Sequence, residues 1–382
     1  MIYLDNSATT APFKEAADAV LAAFQEDFFN PSAAYAPAVR LHTRIEEGRA
    51  RMLKTLNVEN GSLLFTSGGT ESNNFAIYGA LSAMRGRGRV VTTAVEHPSV
   101  SAVFRSLMDE GYDVVKLPVN AQGALEPETL DTALTRDTRL VSFMQVNNEV
   151  GAVNDIGVLA ALVKARCPGA IVHCDGVQAY GRLTPDLSAC PVDLYSISGH
   201  KFHGPKGVGA LYIRKGVRMA PMLVGGGQED GLRSGTTNAP AILGMLEAAR
   251  ICLQDNGAIL RQLRACKLRL AEALLDIEGA RVNGPPPEEG APHILNVSFE
   301  GVRGETLMHS LEGYEIYVST GSACSARARK ESRVLEAMGI TGERALGAVR
   351  ISLGALNTPE EMDAAADAFK HEVEQLRKYR RT

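Results

Sequence analysis

Between residues 60 and 215, seven short runs of β-branched and apolar residues alternate with stretches of helical periodicity. The runs fall at 63–66, 89–94, 113–117, 139–144, 170–174, 192–197 and 208–213. Helical patterns occupy 72–84, 100–110 and 156–166. Near-continuous apolar strands with intervening helices imply an α/β fold with a mainly parallel seven-stranded sheet covered on both faces. The last two runs are joined by a loop without helical pattern, which predicts one antiparallel edge. A long helical stretch follows at 240–277, and the turn-rich segment 283–290 (NGPPPEEG) breaks it. Strands are predicted at 294–299, 316–318 and 349–352, with helices between them. The last helix opens on Thr358-Pro-Glu-Glu361, with an N-cap threonine, proline at the first helical position and glutamate where a capping box needs it. This end reads as a smaller α+β domain. No internal repeat is present.

At about 100–200 residues per domain, 382 residues suit two or three domains. Forty basic against forty-four acidic residues give a net charge of −4, and so no general drive toward nucleic acid or an anionic membrane. No apolar run approaches the roughly 20 residues of a membrane span. The opening MIYLDNSATT has no signal-peptide pattern. A soluble, cytoplasmic protein is expected. The six cysteines, at 167, 174, 190, 252, 266 and 324, form no CxxC pair and no zinc spacing. Most read as small buried hydrophobes, and no metal site is expected.

Three segments carry chemistry. In SLLFTSGGTESNNFAIYGAL (62–81) a strand runs into Ser67-Gly68-Gly69-Thr70 and a helix opens at once. Glycines admit a ligand close to the backbone, and a helix N-terminus offers unpaired N–H groups, so this is either a phosphate cradle or a plain strand-to-helix turn. It is not a Walker A loop, and GxGxxG and HExxH are absent as well. In YSISGHKFHGPKGVG (195–209), Ser198, His200 and Lys201 stand just past a strand end, where open α/β sheets bind ligands. Lys201 suits a Schiff-base lysine; a solvated loop lysine is the alternative, and Lys206 fits that too. In IVHCDGVQ (171–178) a buried strand ends in Asp175. Such a carboxylate needs a cationic partner, which a pyridinium N–H would supply, unless it caps the next helix. Together the three segments specify pyridoxal phosphate better than any one of them.

Nearly end to end, the chain resembles cysteine desulfurases of the NifS/IscS type, within the class V branch of fold type I pyridoxal-phosphate enzymes. The resemblance rests on YLDNSATT, TSGGTESNN, EHPSV (96–100), VNNEVG (146–151), HCDGVQ, SISGHKFHGPKG, GGGQEDGLRSGT (225–236), VSTGSACS (318–325) and VRISLG (349–354). It implies a large cofactor-binding domain at 12–258, and a small domain from 1–11 and 259–382 that carries a catalytic cysteine loop. It makes Lys201 the Schiff-base lysine and Asp175 the pyridinium partner. His97 stacks on the ring and moves protons, Gln178 touches the ring hydroxyl, and Asn148 lies by ring and substrate. Gly69, Thr70, Ser198 and His200 hold the phosphate. Thr236 reaches the neighbouring subunit's phosphate, which implies a homodimer. Arg350 binds the substrate carboxylate through its planar fork. Arg233 is a weaker candidate for that task, with an interface ion pair as its alternative.

By the same resemblance, Cys324 takes sulfur from L-cysteine as a persulfide, releases L-alanine, and passes the sulfur to an acceptor protein. Its stretch is small and polar, and Arg327, Arg329 and Lys330 nearby favour a thiolate. The spacing from Cys324 to Val334 is that of the NifS and IscS group. The chain ends at Lys378-Tyr-Arg-Arg-Thr382 without the tail through which housekeeping members dock an iron–sulfur scaffold. The acceptor is thus an iron–sulfur scaffold or a tRNA-thiolation protein, and Cys324 is a candidate transient cluster ligand. Selenocysteine lyase activity, another class V reaction such as transamination, and a non-catalytic scaffold are the alternatives.

Overall fold

A computed structural model describes residues 1–254, 256–320 and 332–380 of the chain. Cys324, Arg327, Arg329 and Lys330 lie outside the described residues.

After β1 (Ile2–Tyr3) and the helices Lys14–Gln25 and Ala36–Thr55 come the seven strands of the main sheet. They are β2 (Gly61–Thr66), β3 (Arg89–Thr93), β4 (Asp113–Leu117), β5 (Thr138–Met144), β6 (Ile171–Asp175), β7 (Leu194–Ser198) and β8 (Gly209–Arg214). All seven predicted runs are strands, in the order β2-β8-β7-β6-β5-β3-β4. Only β8 runs against its neighbours. The prediction of an antiparallel edge needs correction, because β8 lies one strand in and β2 is the edge. A short loop turns β7 back into β8, and β2 then adds on the far side, restoring the common direction. The Phe65 N–H of this edge donates to Glu229 Oε2 (2.9 Å), and Arg49 grips the same carboxylate at 2.6 and 3.0 Å. A bound side chain thereby covers a backbone donor that an edge would leave open.

Successive residues of the strands feed opposite cores. Phe65, Val91, Val141 and Val172 pack beneath the helices Ala36–Thr55, Ile156–Arg166 and Ala239–Gln254. Leu64, Val90, Leu140 and Leu211 pack against Phe75, Ile77, Val100 and Phe104 on the other side. Burial on both faces is why the runs read as continuous rather than alternating. The helix after β2 begins at Gly69 and carries a π-helical turn, Phe75–Gly79.

The predicted helical stretch at 240–277 is described as Ala239–Gln254 and Asn256–Leu275. Beyond it, β9 (Ala280–Val282), β10 (Ile294–Phe299) and β12 (Ala348–Ser352) form an antiparallel sheet in the order β12-β10-β9. β11 (Ile316–Tyr317) pairs in parallel with β1, bringing the chain's first residues to this part of the fold. Leu4 joins Leu263, Leu270, Val297, Phe299, Ile351 and Phe369 in a separate core. The last helix, Pro359–Arg380, has the predicted capping box: the Glu361 N–H donates to Thr358 Oγ1 (3.4 Å) and the Thr358 N–H to Glu361 Oε2 (3.2 Å). Among the described residues no helix is long and apolar enough to cross a membrane.

Two features prepare a site at the carboxyl ends of the strands. Pairing of β3 with β5 stops at Val91 and Val141, so these strands part at their carboxyl ends. They are also where the strand order reverses, the position at which open α/β sheets bind ligands. The second feature is Gly176, just past β6, where a Cβ would stand 2.0 Å from Cζ and 2.4 Å from the hydroxyl oxygen of Tyr195. Tyr195 is fully buried and donates to Gln145 Oε1 at 2.7 Å, so the ring has nowhere to retreat. Gly176→Ala is expected to cost about 1–3 kcal/mol of stability through overpacking, read as a lowered unfolding midpoint in urea.

Candidate active site

Asp175 and Lys201 follow from adjacent parallel strands, with Asp175 closing β6 and Lys201 ending the turn Gly199–Lys201 after β7. The Asp175 carboxylate is buried, accepting from Asn73 Nδ2 on Oδ2 (2.7 Å) and from the Val177 N–H on Oδ1 (3.0 Å). Lys201 Nζ donates to the carbonyls of Ser7 (2.6 Å) and Ala8 (2.7 Å). Gln178 Nε2 donates to the same Ser7 carbonyl at 3.0 Å, while Gln178 Oε1 is buried without a partner. His200 Nδ1 lies 3.1 Å from Thr9 Oγ1, and the Thr10 N–H donates to the His200 carbonyl (2.9 Å). Burial holds His200 down at about 4, and the charges of Lys201 and Lys206 add to this. The segment 5–10 thus straps Gln178, His200 and Lys201 together. Sequence reasoning quoted its motif but gave it no role, because much of what it contributes is backbone carbonyl.

The glycine turn lies alongside. Gly68 has φ 152° with open space where a Cβ would stand. A Cβ on Gly69 would lie 2.8 Å from Val177 Cγ2 and 3.3 Å from Ser198 Cβ, so the helix start closes onto the ends of β6 and β7 only as glycine. Thr70 is exposed in the first helical turn and Ser198 is buried. His97 caps the helix Pro98–Asp109, its Nδ1 accepting from the Ser99 N–H at 3.1 Å. Burial lowers His97, Asp175 pulls it upward, and Lys201 adds to the depression.

Arg350, in β12, is almost fully buried. Its Nη2 donates to Asp5 Oδ1 (2.6 Å) and its Nη1 to the Asn148 carbonyl (3.1 Å), while Nε is buried without a partner among the described residues. Its backbone exchanges hydrogen bonds with Ser319. Ser332 Oγ donates to Glu149 Oε2 at 2.5 Å, and burial raises the Glu149 carboxyl against the pull of Ser332 and Arg350. Residues just before and just after segment 321–331 are therefore tied to Arg350 and Glu149. Arg233 pairs with Glu71 of the same chain at 2.8 Å, so its partner is internal. Thr236 is exposed in the loop after β8, and no hydrogen bond among the described residues joins it to the groups above.

The five described cysteines are free and buried, as their sequence surroundings suggest. Burial pushes Cys252 up to about 12, and raises Cys174, Cys190 and Cys266 as well. None of these four is suited to act as a thiolate.

The chain matches the family Aminotransferase class-V over residues 2–365. It is 41% identical over 371 residues to a protein described as "NifS/IcsS protein homolog" from Lactobacillus delbrueckii subsp. bulgaricus, covering 97% of this chain and 96% of that one. It is 39% identical over 377 residues to "Cysteine desulfurase IscS" of Methanosarcina thermophila, covering 98% and 93%. Among solved structures, a "NIFS-LIKE PROTEIN" superposes with a TM-score of 0.91 at 35% identity, covering 98% of this chain and 99% of that one.

Glu96, beside His97, went unnoticed as an individual residue. Its Oε1 accepts from Thr93 Oγ1 (2.6 Å) and from the Met144 N–H (3.1 Å), bridging the parted ends of β3 and β5. Its Oε2 is buried without a partner. Burial, with the Asp175 charge adding, pushes this carboxyl up to about 8. The folded state therefore holds a proton that the unfolded chain releases at the ordinary carboxylate value. The associated stability is complete below that value and is lost as pH rises toward about 8. Glu96→Gln keeps the acceptor and removes the titration. Denaturant midpoints are expected to fall from pH 5 to pH 8 more steeply in the wild type than in Glu96→Gln.

Proposed function

The chain belongs to the class-V aminotransferase family, and from that premise we infer that it is a cysteine desulfurase of the NifS/IscS type. The observation that carries its assignment to particular residues is the convergence on one strap. Asp175 and Lys201 stand at neighbouring strand ends, and segment 5–10 ties Lys201 and Gln178 to Arg350.

The family works with pyridoxal phosphate, and the residues present fit that group. Glycine-only space at Gly69, a helix start and the adjacent Ser198 suit the phosphate, with Thr70 and His200 beside them. Asp175 suits the pyridinium nitrogen, and Gln178 has unused hydrogen-bonding capacity for the ring hydroxyl. His97 takes the ring face and Asn148 the edge near the substrate. When bound, the cofactor supplies an electron sink for the substrate carbanion.

With the cofactor bound, Lys201 Nζ would hold it and would remove and return the substrate Cα proton. Arg350 receives the L-cysteine carboxylate, exchanging a present contact for it. His97 serves the remaining proton movements. Cys324 Sγ takes the substrate sulfur, so that L-cysteine and an enzyme thiol become L-alanine and an enzyme persulfide. That sulfur passes to an acceptor protein, an iron–sulfur scaffold or a tRNA-thiolation protein, and Cys324 is available as a transient cluster ligand. Thr236 reaches the phosphate of a second copy, making the working enzyme a homodimer. Residues 12–258 act as the cofactor-binding unit, and residues 1–11 with 259–382 as the unit presenting Cys324. The separate core that includes Leu4 supports this division.

Sulfide and alanine release from L-cysteine with a thiol reductant tests the reading. Lys201→Ala is expected to lose turnover and the visible band of the lysine-bound cofactor. Cys324→Ala is expected to keep the band and lose turnover; full activity in this variant would overturn the persulfide step. Arg350→Lys removes the planar fork and should raise KM for cysteine about tenfold or more. An unchanged KM would remove Arg350 from the substrate site.

A further inference from the structure

Two polar side chains with no assigned role lie between Asp175 and His97. Asn73, in the first turns of the helix after β2, and Ser99, in the first turn of the helix after His97, are both buried. Asn73 Nδ2 donates one hydrogen to Asp175 Oδ2 (2.7 Å) and the other to Ser99 Oγ (2.8 Å). Ser99 Oγ lies 2.8 Å from His97 Nδ1, which also accepts from the Ser99 N–H at 3.1 Å. Each link orients the next. A backbone N–H always donates, so His97 Nδ1 carries no proton, and the Ser99 hydroxyl must donate to it as well. The lone pair that the hydroxyl offers to Asn73 is consistent with that orientation. Asn73 faces two acceptors with its NH2 group, and its Oδ1 is buried without a partner.

We propose that Asn73 and Ser99 are positioning residues that bind Asp175 to His97 in one hydrogen-bonded chain, the Ser99 hydroxyl adding a second donor to Nδ1 and so holding the imidazole neutral with its proton on Nε2. Two donors occupy Nδ1, so Nε2 is the nitrogen left to exchange protons with the site. His97 therefore presents an N–H to the site as a hydrogen-bond donor. The use of that N–H in a reaction rests on the desulfurase reading, whereas the neutral state of His97 and its dependence on Asn73 and Ser99 do not. The charges that act on His97 are those of Asp175 and Lys201, with Glu96 its neighbour in the chain. The burial that lowers His97 works in the same direction as the two donors.

The test is nitrogen NMR of the purified full-length protein, without substrate and with histidine selectively 15N-labelled. His97 is assigned among the eight histidines by the signal lost in His97→Gln. Wild type is expected to show an acceptor Nδ1 and a protonated Nε2 from pH 6 to 8. Ser99→Ala keeps the backbone donor and with it the tautomer, and should move the His97 titration upward by about half a unit to one unit, the worth of one lost hydrogen bond. Asn73→Ala should act in the same direction, and the double variant should match Ser99→Ala alone, because Asn73 acts through the hydroxyl. Ser99→Thr keeps the hydroxyl and should restore the wild-type spectrum, which a packing role would not require. The proposal is overturned if Ser99→Ala leaves the His97 titration unchanged, if the two effects add, or if Ser99→Thr behaves like Ser99→Ala. Should Asn73→Ala not fold, the alanine and threonine variants at Ser99 decide the matter. Sulfide release, measured separately, reports on the desulfurase reading and does not enter this result.

Discussion

A carboxylate buried at the end of a central strand governs much of this architecture. Removing Asp175 from water is costly unless donors replace the solvent, and the fold supplies two from different places. The Val177 N–H comes from the turn that follows β6, and Asn73 comes from the helix after β2. The first donor requires the chain to turn at once, which brings Gly176 against the Tyr195 ring and excludes any side chain there. The second requires the helix from Gly69 to lie close over β6 and β7, which excludes a Cβ at Gly69 as well. The glycine turn and the carboxylate are thus consequences of one packing arrangement.

The N-terminal segment extends that arrangement to the rest of the molecule. Ser7 and Ala8 present carbonyls to Lys201, and Asp5 holds Arg350. The Ser7 N–H and Ser352 Oγ meet at 2.8 Å, with β1 seated beside β11. A short strap therefore links the ends of the large sheet to the small one through both backbone and side-chain contacts. An amino acid held between Lys201 and Arg350 would be held by two groups whose separation this strap sets.

The seven strands of the main sheet were legible because burial on both faces leaves an unbroken apolar signature at 89–94 or 139–144 that tertiary context does not alter. The capping box at Thr358 was legible for a local reason, since both hydrogen bonds join residues three apart. What escaped was either too short or non-local. β1 has two residues and β9 three, too few to show a period. The place of β8 inside the sheet depends on where β2 adds, which no local pattern encodes. Asp175 and Lys201 stood out as charged residues at apolar strand ends, whereas Arg350, in the middle of a short strand, was marked only by the family resemblance. Asn73, Ser99 and Glu96 did not, because a polar residue near a helix start reads as a cap until its partners in space are known.

Burial also sorts the ionisable groups of the site. It presses Glu96 and Glu149 toward their protonated forms and His97 and His200 toward their neutral ones. Groups in those forms contribute directed hydrogen bonds rather than charge, and in a medium of low polarity an aimed dipole costs far less than an ion. Asp5 and Arg350 form an ion pair there, 2.6 Å apart with side chains 19% and 5% exposed. In the role proposed for Arg350, a substrate carboxylate would meet a guanidinium already oriented and desolvated, and would take the place of Asp5. The orientation of the guanidinium is thus set in advance, and release of Asp5 is the reorganisation that binding would require. The same economy explains why Asp5 belongs to the strap that also holds Lys201, since one short segment then sets both the group that would take the carboxylate and the group that would move the proton.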